Sequence, residues 1–225
     1  MTKASDTANI LKQPFTNTLG TSNYRAGENA GDALASGGNE NVLVGDEAGT
    51  ALTTGDENVA IGYRALSTED TGTRSVAIGH DALRVQNNDA ANYNVAVGFG
   101  SGEAVTTGQY NTFVGALSGD ALTTSSSNTA LGYESLTALT TGNSNVAIGY
   151  RALKTDTLGD RSVAVGHEAL ATQNFSSSTD SYNTAVGYQA GNDITTGVEN
   201  TIIGGLAGDA LTTGNENTAV GLASL

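Results

Sequence analysis

Few residues in this chain are equipped for chemistry, and the ones that are stand far apart. His80 and His167 are the only histidines, set in matching segments G-H-D-A-L and G-H-E-A-L. Imidazole is the commonest metal ligand and carries protons near neutral pH. Their spacing of 87 residues spans several units of the repeat described below, so one chain cannot close both on one ion. Three copies of one histidine would meet only on a threefold axis; a solvated turn is the simpler reading. Cysteine is absent, which removes thiolate nucleophiles, disulfides and Cys-ligated metals.

The acidic turns GDEAG (45–49) and GDEN (55–58) lack the alternating carboxylates of a calcium loop. G-S-G at 100–102 is not flanked as a nucleophile elbow requires. No glycine-rich stretch carries a phosphate-binding pattern. No converging acid, base or nucleophile can be named, so the sequence argues against an enzyme and calls for no cofactor and no metal. Threonine pairs recur at 53–54, 106–107, 123–124, 140–141, 195–196 and 212–213. A flat threonine array would suggest an ice-binding solenoid. The pairs are interrupted, by TEDTGTR (68–74) and KTDTLGDR (154–161) among others. They read better as strand-edge residues.

The elements that must carry these residues are repetitive. NVAIGYRAL occurs at 58–66 and again, unchanged, at 145–153. Both belong to a series N-[VT]-x-[VIL]-G. Its glycines Gly45, Gly62, Gly79, Gly98, Gly115, Gly132, Gly149, Gly166, Gly187, Gly204 and Gly221 step by 17 except for one 19 and one 21. A weaker copy, NYRAG (23–27), precedes them. The two long steps carry the loops RVQNNDAANY (84–93) and ATQNFSSSTDSY (171–182), five units apart. A five-unit block, loop included, is therefore duplicated.

A period of 17 is too short for a helical pair or a propeller blade. It fits one coil of an all-β solenoid: strand, turn, second short strand, turn. About 12 stacked coils at roughly 4.8 Å each give a stack about 58 Å long. Each strand is expected to bury its β-branched pair, such as Val59 and Ile61, and to turn Ala60 the other way. The asparagine opening nearly every unit is expected to bond the turn backbone and form a ladder along the stack. The glycine after the strand supplies a corner. The Ala column, with the residues ending each unit (Leu66, Leu83, Gly102, Gly119, Leu136, Leu153, Leu170), is expected to form a second apolar face. A single chain hardly covers both faces, which implies an oligomer.

Composition narrows the partners. The 225 residues hold 23 acidic against 9 basic side chains, a net charge of −14. That excludes nucleic acid, which demands basic patches, and disfavours anionic membranes. No apolar run is long enough to span a bilayer. The first residues, MTKASDTANILKQPF, lack a signal-peptide core, so export by the general secretory route is not expected. Residues 1–22 differ from the rest, with Leu11, Pro14 and Phe15 among them. They are read as an arm that anchors the repeat domain, 23–225, to a partner.

SVAIGHDAL, NVAIGYRAL and SVAVGHEAL resemble the S-V-A-I-G-x-x-A repeats of trimeric autotransporter adhesin heads, the YadA-like kind. The resemblance covers about residues 23–225. It implies a left-handed parallel β-roll with three chains about a threefold axis; the periodicity alone gives coils, not handedness or copy number. Family repeats are typically shorter than 17 residues. Export signal, stalk and membrane anchor are not seen here. The longer N-T-A-V-G-Y-x-A-L…TTG unit is similar to segments of bacteriophage fibres and head-decoration proteins. The expectation is thus a homotrimeric capsid decoration (cement) protein, on the outer surface of a virion, held to the major capsid protein by the arm. The alternative is a tail-fibre or host-adhesion module docked on tail proteins, whose loops would present Tyr93, Phe175 and Tyr182 to a ligand.

Overall fold

The structure is a computed structural model that describes residues 20–225. The arm residues Leu11, Pro14 and Phe15 lie outside the described residues. Fourteen short strands follow in order: β1 (Tyr24–Ala26), β2 (Val42–Val44), β3 (Val59–Ile61), β4 (Val76–Ile78), β5 (Val95–Val97), β6 (Thr112–Val114) and β7 (Thr129–Leu131). Then come β8 (Val146–Ile148), β9 (Gly159–Asp160), β10 (Val163–Val165), β11 (Thr179–Asp180), β12 (Thr184–Val186), β13 (Thr201–Ile203) and β14 (Thr218–Val220). All except β9 and β11 form one parallel sheet of 12 strands, each pairing with the strand one coil before and after. The chain is therefore an all-β parallel solenoid of 12 coils, counted here from the coil of β1. Stacking already includes Thr21, whose carbonyl accepts from the Glu40 amide at 2.9 Å.

Register follows the repeat letter for letter: Val59 faces Val76, Ala60 faces Ala77 and Ile61 faces Ile78. The expected second strand of each coil is missing. The rest of the coil runs through turns; among the described residues, pairing outside the main sheet is confined to β9 with β11, where the second loop leaves, and a single parallel bridge from Thr73 to Ala91 at the first loop. The sequence there explains this. Corner residues such as Glu57, Arg64 and Leu66 sit at φ of 59°, 55° and 52°, a left-handed conformation that interrupts a strand.

The direction of the strand residues is the reverse of the expectation. Ala60, Ala77, Ala130, Ala147 and Ala164 are fully buried, whereas their β-branched neighbours are only half-buried. The reason is room. One coil encloses a column barely wider than a side chain, already occupied by Leu66, Leu83, Leu136, Leu153 and Leu170, all fully buried. Alanine fits opposite leucine; a second large residue does not. The chain solves the same volume a second way in coil 6. There Phe113 takes the alanine position, and glycine takes the leucine position at Gly102 and Gly119. A Cβ on Gly119 would lie 2.7 Å from Phe113 Cε1. Coils 2 and 11 repeat the exchange with Leu43 and Gly49, and with Ile202 and Gly208. Close packing makes such exchanges pairwise.

Two columns lock coil to coil. The asparagines form the expected ladder: Asn128 Oδ1 accepts from the Asn145 backbone N–H at 2.9 Å, and Asn128 Nδ2 donates to the Gly142 carbonyl at 3.0 Å. The post-strand glycines do more than turn a corner. At Gly132 (φ +135°) a Cβ would meet the carbonyl oxygen of Gly149 at 2.5 Å, so the next coil itself excludes a side chain.

Candidate functional site

The feature that stands out is the outer surface of the 12-stranded sheet. Its two columns are Tyr24, Val42, Val59, Val76, Val95, Thr112, Thr129, Val146, Val163, Thr184, Thr201 and Thr218, and Ala26, Val44, Ile61, Ile78, Val97, Val114, Leu131, Ile148, Val165, Val186, Ile203 and Val220. No charged side chain interrupts them, in a chain of net charge −14. Val114 and Ile203 are each 40% exposed. Twelve rungs at roughly 4.8 Å, each about 10 Å wide, give a footprint on the order of 600 Å². That is at the upper limit of the apolar patches isolated monomers carry, and such patches mark interaction surfaces.

An aromatic column borders this strip immediately after the glycine corner. Tyr63 sits tilted against His80 at a centroid distance of 5.0 Å, and His80 stacks on Phe99 at 5.2 Å. Ala116 breaks the column. Tyr133, Tyr150, His167 and Tyr188 then stack at 5.9, 4.9 and 5.2 Å. Both histidines sit on exposed turns, as expected, where they are also rungs of a ring stack, and the coils hold them apart. Each faces its neighbouring acid: His80 Nδ1 lies 2.9 Å from Asp81 Oδ2, and His167 Nδ1 lies 3.6 Å from Glu168 Oε2. The faces of the stacked rings cover one another, so the column offers edges and hydroxyls rather than flat platforms.

Charge lies beside the aromatic column and is paired between coils. Arg64 meets Glu47 at 3.4 Å, Arg84 meets Glu103 at 2.7 Å, and Arg151 meets Glu134 at 2.7 Å. The hydrogen bond from Arg151, with a second from Tyr133, holds the Glu134 carboxyl below the usual range. Among the described residues no group of three or more His, Asp or Glu could hold a metal ion.

The loop residues divide. Tyr93 and Tyr182 are 47% and 52% exposed and stand at equivalent corners. Tyr93 stacks on Tyr110 at 5.6 Å and lies under the Arg74 guanidinium at 5.7 Å. Tyr182 lies under Arg161 at 5.7 Å, and Arg161 also pairs with Asp180. Phe175 is only 5% exposed. It is buried and is not presented to a ligand. The threonine pairs are also not what the sequence suggested. They lie in turns, and the first residue of five of the pairs (Thr53, Thr106, Thr123, Thr140 and Thr195) spends its hydroxyl on the next coil: Thr106 Oγ1 donates to the Thr123 carbonyl at 3.1 Å and Thr140 Oγ1 to the Thr157 carbonyl at 3.0 Å.

Sequence reasoning missed two buried polar rungs. The column of Leu34, Leu52, Val105, Leu122, Leu139, Ile194 and Leu211 is broken by Glu69 and Gln86 in coils 3 and 4, and by Asp156 and Gln173 in coils 8 and 9. All four are essentially inaccessible. Gln86 Nε2 donates to Glu69 Oε2 at 2.9 Å and to Ser75 Oγ at 2.8 Å, while Gln86 Oε1 accepts from Asn94 Nδ2 at 2.8 Å. Gln173 repeats this, donating to Asp156 Oδ2 and Ser162 Oγ and accepting from Asn183 Nδ2 at 2.8 Å. Gly72 N–H and Asn88 N–H also donate to Glu69 Oε1. In this cluster only Asn92 Oδ1 is left without a donor. Burial pushes the Glu69 and Asp156 carboxyls up, against hydrogen bonds that pull them down. The signal was legible: a polar residue in an apolar column, in the two coils where serine replaces the ladder asparagine and in the coil before each.

Comparison with protein-family models, with curated proteins and with solved structures returns no match for this chain.

Proposed function

We propose that the chain is a structural protein that self-associates through the outer face of its sheet, as a trimeric coat or decoration subunit of a bacteriophage capsid. The single observation that carries this reading is the uncharged, 12-rung apolar strip with its aromatic border. An extended partner matching it needs the same rung spacing of roughly 4.8 Å over about 58 Å, and a second and third copy of this chain have that spacing by construction. The strip supplies on the order of 600 Å², and the aromatic column brings it towards the roughly 800 Å² per partner of stable interfaces. The acidic remainder keeps assembled particles apart. Bound only to the assembled shell, such a subunit stabilises the particle by mass action. The left-handed roll and the major capsid protein as partner come from the sequence resemblance, the arm as anchor comes from the distinct composition of residues 1–22, and all belong to the same proposal.

The test has two parts. Sedimentation or light scattering of purified protein should give three times 22.6 kDa; a monomer at all concentrations sinks the trimer. Quantitative mass spectrometry of particles from the source should give copies in proportion to the shell protein. A few copies per particle favour the tail-adhesion reading instead. For that reading the exposed Tyr93–Tyr110 stack and Tyr182 are the contact residues.

A further inference from the structure

A chain of near-identical coils has an assembly problem. The Asn, Ala and Leu columns repeat, so most coils stack as well on one another as on their true neighbours. Skipping a coil extrudes a loop of 17 residues, and the entropy of closing a loop grows only slowly with its length. In the column of Leu52, Val105, Leu122 and Leu139 nothing resists this, because these side chains are interchangeable in kind; outside that column Phe113 ties coil 6 to Gly102 of coil 5. Exchange of coils with a second copy meets equally little resistance.

We propose that the two polar rungs, Glu69 with Gln86 and Asp156 with Gln173, are register pins that force coils 3 and 8 to stack only on the coils that follow them. If coil 4 is skipped, Glu69 faces Val105 and loses the donors Gln86 Nε2 and Asn88 N–H. If coil 3 is skipped, Gln86 faces Leu52, and Gln86 Nε2 loses its carboxylate acceptor. A buried carboxylate or amide stripped of partners is far costlier than a leucine facing a valine. Among stackings that skip fewer than five coils, the correct order alone satisfies both. Packing does not require the polar pair, since the other coils fill the same column with Leu, Val or Ile. Replacing a buried polar pair by apolar residues of similar size is often neutral or stabilising, and fixing register is the best-attested use of such pairs. The same four changes recur five coils on: acid, glutamine, serine for asparagine, and a longer loop. Glu69 on Gln173 is the one other stacking that satisfies the chemistry, so errors of five coils are the ones the pins leave open.

The experiment converts coils 3 and 4 of the full chain to ordinary coils with Glu69→Leu, Gln86→Leu and Ser75→Asn together. The parent and variant are refolded from denaturant over a range of concentrations. Species are resolved by native mass spectrometry, and extruded coils by limited proteolysis. The expected result is an equal or higher thermal midpoint with loss of the single refolded species: a slow phase, coil-sized protease-sensitive loops, and mixed assemblies that increase with concentration. The matching change in coils 8 and 9 (Asp156→Leu, Gln173→Leu, Ser162→Asn) should do the same. The single Gln86→Leu, which strands Glu69, should lower the midpoint. Uniform refolding of both triple variants at the parental rate overturns the proposal. So does a fall in their stability or a failure to fold, since either outcome makes the rungs plain stabilising contacts.

Discussion

The exchange of volume between strand and turn in coil 6 sets up a double-mutant cycle. Phe113 is fully buried, the largest such side chain in the core. Phe113→Ala leaves a void whose walls cannot follow, because the coils above and below are fixed by the sheet and the asparagine ladder. A loss of about 3–5 kcal/mol is expected. Gly119→Leu alone places side-chain atoms where Phe113 already lies 2.7 Å from a Cβ, an overpacking cost of about 1–3 kcal/mol. The backbone itself tolerates the leucine. Gly119 has a φ of 59°, and Leu66, Leu136 and Leu153 hold 52°, 52° and 49° at the same place in their coils. Combining the two changes recreates the Ala-with-Leu solution those coils already use. The double variant should therefore recover much of the loss, with a coupling energy of about 2–3 kcal/mol. Part of the void stays open, because Phe113 also fills the space beside Gly102, where a Cβ would lie 2.9 Å from its ring. Denaturant midpoints of the four proteins read the cycle, as do thermal midpoints, at roughly 2–4 °C per kcal/mol for a chain of this size. Additive effects, or a double variant worse than either single one, would refute the pairing of strand and turn volumes.

Three further outcomes follow from the same geometry. Asn128→Ala removes the acceptor for the Asn145 N–H and the donor to the Gly142 carbonyl; two buried orphans should cost about 2–6 kcal/mol, and a denaturation midpoint moved by less than about 1 kcal/mol contradicts the ladder's role. The Glu69 carboxyl is pushed up by burial, so its contribution to stability is present in full below its unfolded pKa and is lost as pH rises through the folded one. Between about pH 5 and pH 7 the Glu69→Gln variant should lose less stability than the parent; a steeper loss in the variant reverses the sign and removes the argument. Ile148→Glu puts a charge in the middle of the outer strip without touching the interior. The fold, read by circular dichroism, should persist while the oligomer dissociates by at least about tenfold, and an unchanged oligomer would place the contact elsewhere.

The sequence by itself determined the coil. A period of 17 with Asn before the strand and Gly after it specifies a strand at a fixed place in each turn, parallel stacking and the number of coils, because each of these is local: a ladder amide, a glycine backbone, a spacing. That the rest of the coil holds no second strand, β9 and β11 apart, was decided by the left-handed corners. The sequence also separated the two insertions and showed that they were duplicated together. What faces inward was not local. Alternation puts Val59 and Ile61 on one side and Ala60 on the other, but it does not say which side is the interior. That depends on how much space remains once Leu66 and its counterparts have turned in, and the answer is only enough for alanine. The tertiary structure therefore decided that the β-branched columns form the outer strip and that Phe175 is core. It also decided that Glu69 meets Gln86, a pairing set by adjacent coils in space, since the two residues stand 17 positions apart in the chain.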